Sequence, residues 1–405
     1  MHFALIIDDY LPSSTRVASK MFHELACSFV NSGHRVTVIT PYHGNGSRLK
    51  KKYLDGVEIW YFKNPRVKDV GKIKRAIAET VLSLNAWMAI RYETEVRTFD
   101  AIVYYSPSIF FGPLIRKIKS QSKCFSYLIL RDIFPQWSVD AGLIKAGSLI
   151  EKYFRFFEKY NYSQADYIGL MSKKNVELFN SKYSGYSTGV LHNWARFERI
   201  YYEPKYRQSL GLNNKVIFLY GGNIGHAQDM RNLLRLVRRM LPYDEAHFLF
   251  VGQGDEVELV NSLSKQWELK NLTYLPALTQ SEFKILLSEI DVGLFSLSKH
   301  HTAYNFPGKI LGYMVNSIPI LGSVNDGNDL MSLINDANAG MIYINGNDEE
   351  LFQAALALLK DKNLRHNMGE CALSLLRKEF DVEGVAVEIL RKVTEFYEEN
   401  RSENN

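Results

Sequence analysis

Two stretches in the C-terminal half of the chain carry residues suited to binding phosphate. "YGGNIGHAQDM" (220–230) supplies glycines, which adopt backbone conformations closed to other residues, and neutral polar side chains. "NFPGKILGYM" (305–314) places Pro-Gly-Lys where a loop should become a helix, and a helix start offers free backbone N–H groups to an anion. The residues that we expect to contact phosphate are Gly222, Asn223, Gly225, Gln228, Gly308 and Lys309.

Each stretch follows an apolar, strand-like run, "VIFLYG" in the first case and "VGLFSL" in the second. Because ligands of doubly wound sheets bind beyond the carboxyl ends of the strands, both stretches should face one crevice. Two helix starts and a lysine suit a diphosphate better than a single phosphate. The alternative is a tight strand–helix turn in the first stretch and ordinary helix entry at Pro307 in the second. A tight turn needs one glycine and hardly three, so the ligand is favoured.

Two further loops of the same half follow predicted strands. "VGQG" makes an open turn through Gly252 and Gly254, with Asp255 as a sensible helix cap, and the ligand and structural interpretations are balanced. "YLPALTQ" could hold a flat base against Leu275 and Pro276, although a plain turn with a cap at Thr279 or Gln280 explains it slightly better.

Loops of the N-terminal half carry acids and hydroxyls instead. "IIDDYLPSST" contains Asp8, Asp9 and Ser14, followed by Arg16, while "ILRDIFPQW" contains Arg131 and Asp132, and "YYSPSIFFGP" contains Ser106. Such acids could bind a metal or accept a proton. Adjacent strand residues point to opposite faces, so Asp8 and Asp9 are poorly placed to bind one metal together. We therefore expect no metal, and the sequence does not choose between Asp9 and Asp132 as the base.

The elements that must position these residues alternate as strand, helix, strand, twice along the chain. This alternation predicts an α/β fold with two doubly wound, Rossmann-like domains. We place an N-terminal domain at 1–195 and a C-terminal domain at 196–385, with the polar linker 195–215 at their junction. The amphipathic helix at 386–405 could pack back on the first domain. Helices are predicted at about 15–32 and 76–90, among others.

Composition and charge indicate a globular protein at a membrane surface. The chain has 405 residues, 46% of them hydrophobic and 23% charged, and its three cysteines lie in no metal-binding or disulfide pattern. We therefore expect a cytoplasmic protein. The net charge of +5 is concentrated in a basic segment at about 48–92, which includes an apolar helix and is typical of peripheral membrane proteins. A solvated charge run beside a core helix explains it equally well. No nucleic-acid-binding motif accompanies the charge.

With these motifs the chain resembles family 4 glycosyltransferases, which have the GT-B fold of two Rossmann-like domains facing across a cleft. "LIIDDYLPSSTRVASKMFHELA", "YYSPSIFFGP", "LRDIFPQW", "YGGNIGHAQDM" and "NFPGKILGYM" are similar to the WbuB-type transferases of bacterial O-antigen clusters. Those enzymes are associated with UDP-N-acetyl-L-fucosamine as donor. The resemblance implies a metal-independent transferase that needs no cofactor and acts on a lipid-linked sugar at the inner face of the plasma membrane.

The resemblance also implies roles for individual residues. The diphosphate would lie over Gly222 to Gly225 and the Pro-Gly-Lys turn, and the acceptor would enter beside Asp9, Asp132 and Arg131. Residues implied for the donor base, ribose or sugar are Gly252, Gln253, Gly254, Leu275, Pro276, Asn305 and Phe306. Residues implied for the acceptor are Ser14, Arg16 and Ser106.

The chain departs from the family pattern at two places. Two family glutamates, separated by seven residues, correspond here to Tyr304 and Gly312, and a family Arg and Lys correspond to Asn223 and Gln228. Ribose recognition by glutamate is therefore not expected in its usual form. Two other functions remain open: a non-hydrolysing UDP-sugar 2-epimerase and a non-catalytic nucleotide-sugar sensor.

Overall fold

The computed structural model describes residues 1–402 except 15, 68–69, 107, 141, 199–200, 301–303 and 305. Contacts divide the chain into two compact units. Unit 1 comprises residues 1–192 and 382–405, and unit 2 comprises residues 193–381. No helix among the described residues is long and apolar enough to cross a lipid bilayer.

The described part of unit 1 forms an eight-stranded sheet in the order β3-β4-β2-β1-β5-β6-β7-β8. All neighbours are parallel except β3 and β4, which form an antiparallel hairpin. The strands are β1 (His2–Ile6), β2 (Arg35–Tyr42), β3 (Leu49–Leu54), β4 (Val57–Lys63), β5 (Ala101–Ser106), β6 (Phe125–Leu130), β7 (Tyr167–Leu170) and β8 (Thr188–Val190). Strands β1, β5 and β6 are nearly continuous apolar runs because helices cover both faces of the sheet.

Helices of unit 1 pack on this sheet through apolar stripes. They are α1 (Val17–Asn31), α2 (Lys72–Thr80), α3 (Leu82–Ile90), α4 (Gly112–Ser122), α5 (Gln136–Asp140), α6 (Leu149–Tyr162) and α7 (Lys173–Lys182). In α1 the buried residues Phe22, Leu25 and Phe29 recur at the helical period, and the Phe29 ring stacks on Phe3 with centroids 4.3 Å apart. The predicted helix start at Thr15 lies outside the described residues.

The basic segment begins with a hairpin that the sequence analysis did not predict. Residues 49–54 form the edge strand β3, because Asp55 and Gly56 make a two-residue hairpin turn with positive φ at both positions. The Lys51 ammonium lies 4.7 Å from the centre of the Trp60 ring and pairs with Glu93 at 2.7 Å. The single helix predicted at 76–90 is two helices, with the break at Val81 separating basic α2 from apolar α3.

The described part of unit 2 forms a six-stranded sheet, and every neighbouring pair is parallel. Its strands are β9 (Val216–Asn223), β10 (Ala246–Gln253), β11 (Leu272–Leu275), β12 (Val292–Ser296), β13 (Ile320–Val324) and β14 (Gly340–Ile344). The order β11-β10-β9-β12-β13-β14 reverses direction between β9 and β12. In a doubly wound sheet, that reversal is where ligands bind.

Helices of unit 2 cover both faces of its sheet. They are α8 (Tyr206–Ser209), α9 (Met230–Arg239), α10 (Val257–Gln266), α11 (Gln280–Leu287), α12 (Lys309–Val315), α13 (Leu330–Asp336), α14 (Asp348–Lys360) and α15 (Lys362–Glu379). The last helix, α16 (Val382–Ser402), belongs to unit 1, where it packs against α1 and β6. The Tyr397 hydroxyl of α16 donates to the Asp100 carbonyl at 2.8 Å and fixes the helix there.

Candidate functional site

Lys309 is a buried cation at the point where β9 and β12 diverge. Its Nζ atom is buried and has no hydrogen-bond partner among the described residues. Nζ lies 3.4 Å from the centre of the Tyr220 ring, which supplies a cation–π contact but no acceptor. Burial lowers the pKa of Lys309 well below that of an ordinary lysine. A buried ammonium without an anion is costly, which is why the pKa is lowered, and an anion next to Nζ would reverse that shift.

Gly222 lies immediately beside this lysine. A Cβ atom at Gly222 would lie 3.6 Å from Cε of Lys309 and 3.8 Å from Nζ, and the φ of 118° is one that side chains rarely adopt. Gly222 and Asn223 are exposed, so the backbone over the lysine is open to a ligand. The side-chain amide of Asn223 donates to Oε1 of Gln228 at 2.9 Å, and this hydrogen bond links the two ends of the loop. The structure thus brings together the "GGNIG" loop and Lys309, as the sequence predicts.

The remaining glycines of this region serve close packing between two loops. A Cβ at Gly225 would lie 2.6 Å from the Asp255 carboxylate, and one at Gly252 would lie 1.8 Å from the Gly222 carbonyl. A Cβ at Gly254 would likewise lie 2.1 Å from the Ile224 carbonyl. The backbone N–H of Ile224 donates to the Gln253 carbonyl at 2.9 Å and joins the two turns directly. Gly252 and Gly254 therefore have a sufficient structural reason to be glycine, while the Gln253 side chain is exposed.

Tyr313 positions the lysine, and the sequence analysis missed it. Its buried hydroxyl lies 3.0 Å from the carbonyls of both Leu219 and Leu294, so it bridges β9 and β12. The ring packs against Gly293, where a Cβ would approach it to 2.3 Å. Lys309 lies one helical turn before Tyr313 in α12, so this anchor sets the place of the lysine. A tyrosine four residues after a loop lysine, opposite a glycine in the preceding strand, is the signal that could have revealed it.

The residues expected around the donor base have mixed surroundings. Leu275 is half-buried and Pro276 is exposed, whereas Phe306 is buried, with its ring 6.5 Å from that of Phe380. Phe306 thus offers little surface to a ligand. Thr279 and Glu282 form a reciprocal capping box at the start of α11, so the "YLPALTQ" turn is largely a helix cap. Asn305 lies outside the described residues.

A histidine–carboxylate pair borders the same loop. His226 is exposed, and its Nδ1 lies 2.9 Å from Oε1 of the buried Glu256. The other carboxylate oxygen of Glu256 accepts from the backbone N–H of Met230 at 3.3 Å, at the start of α9. Glu256 therefore fixes the loop to α9, and His226 offers its edge to solvent beside the glycines.

In unit 1, Asp132 has the surroundings of a proton acceptor. Burial raises the pKa of its carboxyl, and the neighbouring Arg131 partly opposes that shift. No hydrogen bond to this carboxylate occurs among the described residues. Tyr105 lies nearby: burial raises the pKa of its hydroxyl, and the charges of Asp132 and Asp8 raise it further. A raised pKa makes a carboxylate a stronger base, provided that it is ionised at the working pH.

Arg131, which the sequence analysis placed at the catalytic site, binds the backbone of unit 1. Its guanidinium is buried and donates to the Leu191 carbonyl at 2.7 Å and to the His192 carbonyl at 3.0 Å. Burial lowers the pKa of Arg131 to about 10. These contacts fix the backbone next to Asp132, and the catalytic role of Arg131 stays a prediction.

Asp9 is held by its own loop. The Ser14 hydroxyl donates to Oδ2 of Asp9 at 2.7 Å, and Nε of Arg16 lies 3.4 Å from the same oxygen. Ser14 is buried and is also contacted by the Ser19 hydroxyl at 2.8 Å. The three predicted residues Asp9, Ser14 and Arg16 are thus brought together, but as a mutual network. Ser106 is buried at the end of β5, and its hydroxyl has no partner among the described residues.

The chain is similar in sequence to known glycosyltransferases. Residues 203–374, nearly the whole of unit 2, match the family described as Glycosyl transferases group 1. The chain is 26% identical over 220 residues to the probable glycosyltransferase WbjE of Pseudomonas aeruginosa, covering 53% of this chain and 54% of WbjE. It is 23% identical over 304 residues to the putative colanic acid biosynthesis glycosyl transferase WcaI of Escherichia coli K12, covering 71% of this chain and 74% of WcaI.

Solved structures agree on the fold. HepE from Anabaena, in complex with UDP and glucose, superposes with a TM-score of 0.67 at 15% identity, covering 98% of this chain and 100% of HepE. The predicted α/β fold with two Rossmann-like domains, the GT-B class, is confirmed. The match to group 1 glycosyl transferases lies in unit 2, and both relatives are described as glycosyltransferases, which is the class of protein that the sequence motifs predict. The shared length with WbjE is only about half of that relative.

Proposed function

We propose that the chain transfers a deoxy amino sugar from a UDP-sugar to a polyprenyl-diphosphate-linked N-acetylglucosamine, in O-antigen or capsule assembly. N-acetyl-L-fucosamine is the donor sugar that the motifs favour, because they resemble those of the WbuB-type transferases. WcaI is described as a colanic acid biosynthesis enzyme, and HepE binds UDP, which supports a polysaccharide product and a uridine diphosphate donor.

The observation that carries the proposal is the unpartnered Lys309 ammonium beneath Gly222. A diphosphate lying over Gly222 and Asn223 would give this ammonium its missing anion. On binding, the diphosphate favours the protonated lysine, which then supplies a full positive charge at the leaving group. The charge that develops on the departing UDP is thereby stabilised in a buried site, without any role for a metal.

Asp132 is the proposed proton acceptor in unit 1. In the transfer, the acceptor hydroxyl oxygen forms a bond to the anomeric carbon of the donor sugar, and the bond from that carbon to the diphosphate oxygen breaks. The hydroxyl proton passes to Asp132 and the bonding electrons leave with UDP. Asp9 is the weaker candidate because Ser14 and Arg16 already engage its carboxylate.

The acceptor side suits a membrane surface. Apolar side chains of α2 and α3 are exposed at Ile77 and Leu84, and those of α6 at Ile150 and Phe156. A hydroxyl contact between Thr80 and Tyr153 joins α2 to α6, so the two helices that carry Ile77 and Phe156 lie next to each other. Exposed apolar residues beside a basic segment favour peripheral attachment to an anionic bilayer. We therefore propose that the protein acts at the inner face of the plasma membrane.

Transfer and donor binding test this function separately. The purified chain is incubated with a panel of UDP-sugars and a lipid-linked N-acetylglucosamine, and the product is identified by mass spectrometry. UDP affinity is measured by calorimetry for the native chain and for Lys309→Ala, with Lys270→Ala as the matched change of an exposed lysine in unit 2.

We expect transfer with one or few UDP-sugars and a loss of UDP affinity in Lys309→Ala alone. Equal UDP affinity in the native chain and Lys309→Ala would contradict the assigned diphosphate site. Epimerisation of a UDP-sugar in the absence of acceptor would replace the proposed reaction, and tight UDP-sugar binding with no turnover of any acceptor would indicate a sensor.

A further inference from the structure

Unit 1 contains a cavity of about 870 Å³ near the carboxyl ends of β2 and β4. One wall comes from the ends of β2 and β4 and the residues that follow them, and the opposite wall comes from α3. None of the candidate catalytic or donor residues lines it. The cavity therefore requires its own explanation.

Cations dominate the polar wall of this cavity. Arg48, Lys63 and Arg66 line it, together with His43, and no acidic residue does so among the described part of the chain. None of these three cations forms an ion pair with a described residue. By contrast, Lys51 pairs with Glu93 at 2.7 Å and Arg75 pairs with Glu79 at 2.8 Å. Three cations without an ion pair among the described residues thus line one concave surface, which favours an anion with several charges.

The wall formed by α3 is largely apolar. Leu84 and Met88, four residues apart on α3, line the cavity together with Asn85, and Leu84 is 60% exposed. The exposed Leu84 side chain and Met88 give the cavity an apolar surface next to its cations. A ligand with an anionic head and a hydrocarbon tail would contact both the cations and the apolar wall. A soluble sugar phosphate would leave the apolar wall exposed to water.

The sheet places this cavity near Asp9, the weaker of the two candidate bases and the first acid along the sheet edge. Lys63 ends β4, His43 follows β2 and Asp9 follows β1, and these three parallel strands are neighbours. Their carboxyl ends lie at one edge, so β4 and β1 are two strand spacings apart, about 10 Å. His43 Nδ1 lies 3.0 Å from the Asn64 carbonyl, and the Tyr61 hydroxyl donates to the Leu11 carbonyl at 2.6 Å, which ties the cavity wall to the Asp9 loop. One sugar ring with its phosphate can bridge that span.

We propose that this cavity binds the diphosphate of a prenyl-diphosphate-linked acceptor, with Arg48, Lys63 and Arg66 on the phosphates and Leu84 and Met88 along the first isoprene units. The inference rests on the proposed function for the identity of the sugar that the diphosphate carries. The cavity thereby fixes the position of the diphosphate between lipid and sugar. The sugar then extends along the edge of the sheet toward Asp9 and Asp132.

Binding of farnesyl diphosphate, which carries no sugar, tests the cavity directly. Affinity is measured with UDP saturating, so that the diphosphate site of unit 2 is occupied, and inorganic pyrophosphate and farnesol are the comparison ligands. The triple variant Arg48→Gln, Lys63→Gln, Arg66→Gln should bind farnesyl diphosphate at least tenfold more weakly. Leu84→Ala with Met88→Ala should weaken farnesyl diphosphate but leave pyrophosphate unchanged. Lys182→Gln, an exposed lysine of unit 1 away from the cavity, should bind as the native chain does.

Equal affinity of the native chain and the triple variant for farnesyl diphosphate would overturn the proposal. Equal affinity of the native chain for pyrophosphate and farnesyl diphosphate would identify a site for free phosphates and would overturn the lipid assignment. In transfer assays, the triple variant should raise KM for the lipid-linked acceptor at least tenfold with KM for the donor unchanged. If no lipid-linked sugar is glycosylated while the variants still lose farnesyl diphosphate, the proposed reaction falls and the cavity assignment stands.

Discussion

Each unit buries a cation close to its candidate site, and the two cations have opposite surroundings. In unit 1 the Arg131 guanidinium donates to two backbone carbonyls, those of Leu191 and His192. In unit 2 the Lys309 ammonium faces the Tyr220 ring and has no acceptor among the described residues. A buried cation that donates to backbone carbonyls stabilises the fold, whereas a buried amine without an acceptor has a lowered pKa and is suited to an anionic ligand. We call Arg131 an architectural charge, since it holds the backbone, and Lys309 a binding charge, since we propose that it binds the diphosphate.

The largest effect should follow from Asp132, the acid next to Arg131. Asp132→Asn keeps the shape of the side chain but removes the base, so transfer should fall by about 10²–10⁴ while UDP affinity stays constant. Because the pKa of the buried Asp132 carboxyl is raised, the neutral amide should not lower the free energy of unfolding. Turnover by single-turnover kinetics and UDP binding by calorimetry check both parts.

Asp9→Asn is the matched control for that change. Its carboxylate already accepts from Ser14 and faces Arg16, so its loss should disturb the loop and reduce transfer less than Asp132→Asn does. A larger loss from Asp9→Asn would reverse the assignment of the base.

The binding charge is tested by Lys309→Met, which keeps the length of the side chain beneath Gly222. Loss of a charge-assisted contact to the diphosphate, worth about 1.5–3 kcal/mol, should weaken UDP by roughly 10–150-fold. The same change removes a desolvated amine, so the melting temperature without ligand should stay level or rise. A lower melting temperature with unchanged UDP affinity would show that Lys309 is architectural after all.

Arg131→Met should give the reverse pattern. It leaves the buried carbonyls of Leu191 and His192 without their donors, at about 1–3 kcal/mol for each unsatisfied group. The midpoint of denaturant unfolding should fall, and UDP affinity, which belongs to unit 2, should not change. Unfolding followed by circular dichroism and UDP binding measured by calorimetry distinguish Arg131→Met from Lys309→Met. An unchanged unfolding midpoint in Arg131→Met would show that Arg131 does not stabilise the fold.

The sequence predicts one half of this comparison better than the other, for a physical reason. The phosphate loops consist of contiguous residues at strand ends, so Gly222 and Lys309 could be assigned from local pattern alone. Arg131 could not, because its partners Leu191 and His192 are about sixty residues further along the chain and become neighbours only when β8 joins the sheet. Tyr313 was missed for the same reason, since its acceptors belong to two different strands.

The basic segment could be predicted in part. Lys51 and Lys52 are exposed, as in a solvated charge run, and residues 49–54 form the edge strand of a hairpin. The Asp55-Gly56 turn was readable from the sequence as a hairpin signal. The concave surface beside it was not, because its lining comes from three separate stretches, residues 43–48, 63–66 and 84–88.

A smaller effect is expected from the anchor of the lysine. Tyr313→Phe keeps the ring against Gly293 but removes the hydroxyl that bridges the Leu219 and Leu294 carbonyls. Since the carbonyls also take part in the sheet, the cost should be about 1 kcal/mol of stability, with a loss of UDP affinity below about tenfold. Tyr343→Phe, on β14, serves as the control. Equal UDP affinity in Tyr313→Phe and the native chain would mean that α12 holds Lys309 without this anchor.

The finest test of the binding charge is proton uptake. Burial lowers the pKa of Lys309 in the free protein, and a diphosphate beside it should raise that pKa again. Between the two pKa values the free lysine is neutral and the bound one is charged, so UDP binding should take up as much as one proton, and affinity should fall as the pH rises. Calorimetry in two buffers with different ionisation enthalpies measures this uptake, above the last phosphate ionisation of UDP at about pH 6. Lys309→Met should abolish it, and uptake that persists in the variant would assign the proton to another group.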